Sequence, residues 1–241
     1  MSKIRNRAAG ESLAYDKLEK LLASSGSLNN LQIVVNRVFQ KAPDIVKEME
    51  NEIEGLSTSR KKSYLVDLVL RKIKELLLDD ARLADEFRLP NKVWHYIAYI
   101  DLVVARIKDN TKQWATYVLR DFPYTDHEGI LIEEEGYHLR TKLKSALKEI
   151  GFACGVQTEV EENRIWFRIT TSRKTKDRKK DMDKVFKARP TFVIHYPGEP
   201  YFYSVLNLPD HLANALATCM GCRDSKQIPL TGRCVESLRR L

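Results

Sequence analysis

Metal binding is the first chemistry that the residue types suggest, because Cys219 and Cys222 form a C-x-x-C pair, with Cys234 downstream and His211 upstream. Thiolates and imidazoles bind zinc in proteins when four of them surround the ion. The chain has no second C-x-x-C, and the spacing does not match that of a zinc ribbon. We therefore predict that the protein holds no metal and no other cofactor.

Carboxylates offer a second chemistry, hydrolysis. The glutamates at 133–135 are consecutive, and consecutive helical positions point in different directions, so they favour the first turn of a helix rather than a paired-carboxylate site. A metal-dependent nuclease built on Asp126 and Glu128, in a predicted loop beside His127, stays an alternative. Because the chain also has no glycine motif that cradles phosphates, we predict that it is not an enzyme.

Positive charge is the clearest chemical feature of the chain. The net charge is +8, and the segment 172–189 alone holds nine Lys or Arg against three Asp, a net charge of +6. The segment lies between two predicted strands, so we expect an extended strand-to-strand loop. Lysines on such a loop suit phosphates, where charge matters more than position. The charge therefore favours a polyanionic partner. A solvated charge run, or a surface that binds an acidic protein, would show the same composition and stays an alternative.

A second basic feature is the predicted helix over 133–150, in which leucines face inward and cations recur at intervals of four. Its cations are Arg140, Lys142, Lys144 and Lys148. Contact with DNA and a merely solubilising surface are equally compatible with this pattern. RNA binding on an aromatic sheet, through Trp166, Tyr201 and Tyr203, is a further alternative, although such aromatics more often belong to a core.

The elements that position these residues fall into two groups. Apolar residues at helical spacing predict helices over 11–24, 28–40, 43–55, 60–78, 90–107 and 111–119. The turn-rich stretch at 121–129 then predicts a domain boundary. We expect an amino-terminal extension over 1–26, predicted to be helical, and an all-α bundle over 27–121.

The second domain, 130–241, alternates apolar and polar residues in runs rich in aromatic and β-branched types. These runs predict strands over 152–159, 164–171, 191–195 and 201–206, followed by a helix over 210–220, a short strand at 228–230 and a closing helix. The predicted fold class is α+β, with an antiparallel sheet and helices on one of its faces. The chain has no run of about 18 apolar residues, so we expect no membrane association.

An ordered series of segments resembles the centromere protein N family. The series comprises RKKSYLVDLVL, KVWHYIAYIDLVV and KQWATYVL, then EENRIWFRI, KARPTFVIHYPGEPYFYSV and ALATCMGCRDSKQIPLTGRCVESL. The resemblance covers 28–241 and implies a pyrin-like helical bundle followed by the α+β domain. It also implies a nuclear protein of the inner kinetochore, at the centromere of the chromosome, that supports kinetochore assembly and chromosome segregation.

The resemblance further implies that both domains contribute cations to one groove for nucleosomal DNA. In this groove Lys112 replaces a family cation whose position is Gln113 here. The predicted nucleic-acid contacts are Arg37, Lys41, Lys61, Lys62, Lys112, Arg140, Lys142, Lys144, Lys148, Arg168, Arg173, Lys174, Lys176, Lys179, Lys180 and Arg233.

Several protein partners are implied in the same way. The family's helical domain contacts the centromeric histone H3 variant through acidic residues of its first helix, whereas the matching LNNLQIVVNR has none. The family continues into a region that pairs with centromere protein L. Centromere protein L and other inner-kinetochore subunits are therefore expected partners.

Overall fold

Apolar side chains spaced three and four apart build the first part of the chain from helices. The computed structural model describes residues 14–78, 92–123, 132–205 and 207–240, and the chain divides into two compact units between Ile107 and Lys108. The described helices of the first unit are α1 (14–23), α2 (Leu28–Val38), α3 (Pro43–Ile53), α4 (Thr58–Leu78) and α5 (Lys92–Ile107).

Local signals explain where these helices begin. The Ser27 side chain caps α2 by accepting a hydrogen bond from the backbone N–H of Asn30, at 3.2 Å. Pro43 occupies the first position of α3, where its missing N–H costs nothing. Gly26 precedes the cap with a φ of +99°, a backbone conformation that favours glycine.

One apolar core holds the helices together, and it includes α1. Leu18 and Leu22 of α1 are fully buried in the same cluster as Leu31 of α2, Ile73 of α4 and Ile100 of α5. The described part of 1–26 is therefore an integral part of the helical unit and not an extension of it. The inward-facing positions that helical spacing predicts are buried or packed against this core wherever the structure describes them.

The helix predicted over 111–119 is wrong. Asp109–Thr111 forms a single 3-10 turn, and β1 (Trp114–Arg120) follows it as a strand of the second unit. Both faces of β1 are buried, so its apolar residues form a nearly continuous run, which periodicity alone does not separate from a helix. The predicted boundary at 121–129 consequently lies inside the second unit.

The second unit is built on one antiparallel sheet. Its further strands are β2 (Phe152–Glu161), β3 (Arg164–Arg173), β4 (Thr191–His195), β5 (Tyr201–Ser204) and β6 (Asp224–Gly232). The order across the described sheet is β2-β3-β4-β5-β1-β6, and every pair is antiparallel. The chain is therefore an α+β protein, as predicted, with a helical bundle followed by an antiparallel-sheet unit.

Two helices cover one face of the sheet. Leu139, Leu143 and Leu147 of α6 (Ile132–Glu149) share one core with Leu212 and Leu216 of α8 (Asp210–Cys219). The strand residues of this core include Val156, Ile165, Phe167, Ile169 and Val193. A short closing helix, α9 (Val235–Arg239), packs Leu238 close to Gly232 of β6.

The expectation that helices lie on one face only is wrong, and so is the extended loop over 172–189. That segment contains α7 (Arg178–Lys187), whose Val185 is fully buried close to Gly155 and Thr170. Thr170 alternates with the residues of the α6 and α8 core, so α7 covers the opposite face. Its apolar pattern is too sparse among the charges to predict a helix.

Candidate nucleic-acid interface

A row of cations follows α6 outside the face that its leucines bury. Arg140, Lys144 and Lys148 succeed one another at intervals of four residues, so they lie above one another on the helix. The thiol of Cys154, on the adjacent edge strand β2, donates to the carbonyl oxygen of Lys144 at 4.0 Å. The row therefore lies beside the β2 edge of the sheet.

Lys174 joins this row from the end of β3. Its backbone N–H donates to the carbonyl oxygen of Gly151 at 2.9 Å, and its Nζ donates to the carbonyl oxygen of Lys148 at 2.5 Å. A cation at this place also suits the negative end of the α6 dipole. We call Arg140, Lys144, Lys148 and Lys174 the basic stripe.

Positive charge accumulates in the basic stripe. Burial lowers the pKa of Lys144, and the charges of Arg140 and Lys148 lower it further. Burial raises the pKa of the Cys154 thiol, while Lys144, Lys148 and Lys174 all act in the opposite direction on it. Lys144, Lys148 and Lys174 therefore all act electrostatically on the same thiol, at the β2 edge of the sheet.

None of the acidic side chains that the structure describes forms an ion pair with the basic stripe. Two arginines near α9 do form ion pairs. Arg164 pairs with Glu161 at 2.9 Å, and the Nε of Arg239 donates to Glu199 at 2.6 Å. The unit thus pairs some of its arginines with carboxylates, whereas a described carboxylate that acts on the basic stripe is Asp181, whose pKa the charge of Lys174 helps to lower without a direct ion pair.

The turn between β3 and α7 extends the cationic surface and is held in place from inside. The buried carboxylate of Asp181 accepts hydrogen bonds from the backbone N–H of Thr175 at 2.9 Å and from its hydroxyl at 2.7 Å. These bonds are the main reason why the pKa of Asp181 is lowered. Arg173 and Lys176 are exposed on either side of this turn.

Three further predicted contacts lie elsewhere in the second unit. Lys179 and Lys180 belong to the first turn of α7. Lys112 follows the 3-10 turn, with its Nζ 5.5 Å from the ring centre of Phe192.

The prediction for Arg168 is wrong, because only 5% of this residue is exposed. It lies on β3 between neighbours that are themselves buried, on the face that α7 covers, so its guanidinium does not reach a phosphate outside. The alternation of residue types along this strand predicts a solvent-facing side for Arg168, but both faces of β3 are buried.

Lys142 and Arg233 are exposed but separate from the basic stripe. Lys142 points to another side of α6, where it lines a cavity of about 370 Å³ with His138, His195 and Cys219. Arg233 follows β6, four strand positions away from β3, which is about 19 Å across the sheet at a strand spacing of about 4.8 Å. One compact phosphate site cannot include all the predicted cations of this unit.

The cations predicted in the first unit lie at the connection between α2 and α3 and at the start of α4. Arg37 is exposed in the last turn of α2, and Lys41 is exposed just before α3. Lys61 and Lys62 are half-buried in the first turns of α4. The Nζ of Lys62 donates to the carbonyl oxygen of Ala23 at 2.8 Å, so this lysine has a structural role at the end of α1.

The sequence analysis missed an exposed aromatic residue beside the basic stripe. Tyr137 of α6 is 57% exposed, the highest value among the large apolar residues that stand out as exposed. The guanidinium carbon of Arg140 lies 5.0 Å from the centre of its ring. The spacing of three between a tyrosine and an arginine on a predicted helix would have indicated this pair.

The aromatic sheet considered for RNA is not accessible. Trp166 and Tyr203 are buried, with 0% and 1% exposure, and Tyr201 alone of the three is exposed at 37%. Stacking of bases on this sheet would need all three rings at the surface. The structure therefore contradicts the alternative of RNA binding on the sheet.

The cysteines are placed for packing. The thiol of Cys219 donates to Leu216 at 3.1 Å and that of Cys222 donates to Met220 at 3.6 Å, both to carbonyl oxygens. Burial raises the pKa of Cys219 to about 12. Within the part of the chain that the structure describes, no group of three or more potential ligands is arranged to hold a metal. Asp126, His127 and Glu128 lie outside the described residues.

The fold and the basic stripe define the class of protein as an α+β protein with a cationic surface. No model of a known protein family matches the chain, and a search of curated proteins finds no significant similarity. Among the described helices, none is both long enough and apolar enough to cross a membrane.

Proposed function

We propose that this protein binds nucleosomal DNA by phosphate contacts, as an inner-kinetochore protein of the centromere protein N type, and that it is not an enzyme. The observation that carries the proposal is the basic stripe, whose four cations line one surface and form no ion pair with a described acidic side chain. Burial lowers the pKa of Lys144 in this stripe, and the charges of Arg140 and Lys148 lower it further. Concentrated positive charge of this kind costs free energy in the absence of a polyanion. DNA phosphates would remove that cost.

The proposed location is the centromere in the nucleus, where the protein would support kinetochore assembly and chromosome segregation. The cations of the helical unit, Arg37 and Lys41 first among them, would add phosphate contacts. The centromeric histone H3 variant, centromere protein L and other inner-kinetochore subunits are the proposed protein partners. These partners are supported by the resemblance to the family alone.

The test compares two double variants that change the net charge equally. Lys148→Gln with Lys176→Gln removes cations at the stripe and at the adjacent turn, and neither side chain makes a described hydrogen bond. Arg223→Gln with Lys226→Gln removes two exposed cations near β6, at the other edge of the sheet. Nucleosome affinity is measured for each as a function of salt.

We expect only the first double variant to bind more weakly, with a salt slope that is smaller by about 2. Equal losses in both variants would mean that net charge, and not the stripe, attracts the nucleosome. Comparison of naked DNA with histone-containing particles then separates phosphate binding from the alternative, a module that docks acidic proteins. Binding only to particles would favour the docking module.

A further inference from the structure

Tyr137 is an exposed ring at one end of the row that the α6 cations form. The residues 137, 140, 144 and 148 succeed one another at three and four positions, so the tyrosine continues the line of the basic stripe. Its ring is held from two directions. The Arg140 guanidinium lies over it at 5.0 Å, and the His138 ring meets it edge-on at 6.1 Å.

Tyr137 is the most exposed of the large rings that the structure describes in this unit, at 57% against 37% for Tyr201. Several rings that pack against one another there are buried, and Trp114, Trp166 and Tyr196 are at most 1% exposed. An exposed tyrosine that is held by a cation loses little freedom when a flat ligand stacks on it. A phosphate-binding row that ends in such a ring matches the two needs of an unpaired nucleotide strand, charge for its backbone and a ring for a base.

We propose that Tyr137 stacks with an unpaired nucleobase while the cations after it bind the backbone of the same single strand. The inference rests on the phosphate contacts of the proposed function and goes beyond it, because a duplex keeps its bases stacked and offers phosphates only. The ligand class is therefore single-stranded nucleic acid, or a duplex end or opening that exposes a base. The stacking itself does not distinguish DNA from RNA, since every base has a flat face.

The experiment uses the full chain with three probes that share one sequence. They are a 12-nucleotide DNA strand with a central 2-aminopurine, its duplex, and the matching RNA strand. The variants are Tyr137→Ala, which removes the ring, and Tyr137→Phe, which keeps it. Tyr201→Ala is the matched control, because Tyr201 is an exposed tyrosine on β5, outside α6.

We expect Tyr137→Ala to lower single-strand affinity by roughly fivefold to 150-fold, the range that loss of one base stack produces. The ratio of single-strand to duplex affinity should fall with it, and the change in 2-aminopurine fluorescence on binding should disappear. Tyr137→Phe and Tyr201→Ala should both behave as the wild type does. If Tyr137→Ala loses affinity for only one of the DNA and RNA strands, that strand is the ligand of the site.

The outcomes separate this inference from the proposed function. If wild-type protein binds the duplex and Tyr137→Ala leaves the single-strand to duplex ratio unchanged, stacking is overturned while phosphate binding stands. If Tyr201→Ala lowers single-strand affinity as much as Tyr137→Ala does, the stacking proposal is overturned as well. If the wild type binds none of the probes, both proposals fail. Far-UV circular dichroism of each variant verifies that the helix content is unchanged.

Discussion

Lys174 and Lys148 are connected by a hydrogen bond in which Nζ of the first donates to the carbonyl oxygen of the second at 2.5 Å. The bond ties the turn after β3 to the carboxyl-terminal end of α6. One donor of the ammonium group is used here, which leaves the others available for a phosphate. Lys174 therefore has a structural role in addition to its proposed role in binding.

This double role predicts a difference between two neighbouring lysines. Lys174→Gln should lower the free energy of unfolding by about 0.3 to 1 kcal/mol, because the end of α6 loses its cation. Lys176→Gln should leave stability unchanged. Both should reduce the salt slope of DNA binding by about 1. Urea denaturation and a salt titration measure the two effects, and equal stability of the two variants would contradict the structural role.

The pKa of Lys144 should respond to its neighbours and to DNA. Because repulsion by Arg140 and Lys148 contributes to lowering it, Lys148→Gln should raise this pKa, whereas Lys226→Gln should not. A bound polyanion favours the charged amine and should also raise it. Side-chain NMR of Lys144 during a pH titration follows each change. A pKa that falls when DNA binds would count against contact with phosphate.

The lowered pKa of Lys144 also makes the free energy of unfolding depend on pH in the alkaline range. The folded state releases the Lys144 proton at a lower pH than the unfolded state does, because its pKa is lowered. Stability should therefore rise as pH increases from the folded pKa towards the unfolded value, which is about 10.4. The rise should disappear in Lys144→Met, as thermal unfolding at several pH values would show.

Asp181 should make the turn that carries Arg173 and Lys176 sensitive to acid. Its pKa is lowered in the folded state, chiefly by the hydrogen bonds from Thr175. Its contribution to stability is complete above the unfolded pKa, about 3.9, and is lost as pH falls through the lower folded value. Asp181→Asn should remove this part of the acid dependence and speed hydrogen exchange over 174–177. Asp16→Asn, at an exposed position of α1, is the control. Identical exchange in the two variants would contradict a role of the Asp181 hydrogen bonds in holding this turn.

Gly155 should be required for the approach of α7 to the sheet. A Cβ at this position would lie 2.8 Å from the Thr170 hydroxyl oxygen and 3.3 Å from Val185. Gly155→Ala should therefore cost about 1 to 3 kcal/mol through overpacking. Gly55→Ala should cost little, because nothing lies within 4 Å of a Cβ there. Chemical denaturation compares the two, and a neutral Gly155→Ala would mean that α7 moves freely.

The helices of the first unit and most strands of the second were predictable because each shows one clear periodicity. Buried leucines at three and four positions define α6, and Thr191–His195 was predicted at the bounds that the structure has. The secondary-structure predictions that were wrong, a helix over 111–119 and an extended loop over 172–189, concern segments without such a periodicity. β1 is buried on both faces, and α7 attaches through Val185 amid charged residues.

The candidate site also has a part that the sequence predicts and a part that it does not. The sequence by itself determined that positive charge concentrates on α6 and in 172–189, since charge and helical spacing are properties of the chain. Only the tertiary structure decided which of those charges share a surface, because hydrogen bonds across distant residues bring Lys174 to Lys148 and burial on both faces of β3 removes Arg168. Spacing defines neighbours within an element, whereas packing between elements determines which neighbours reach solvent and which do not.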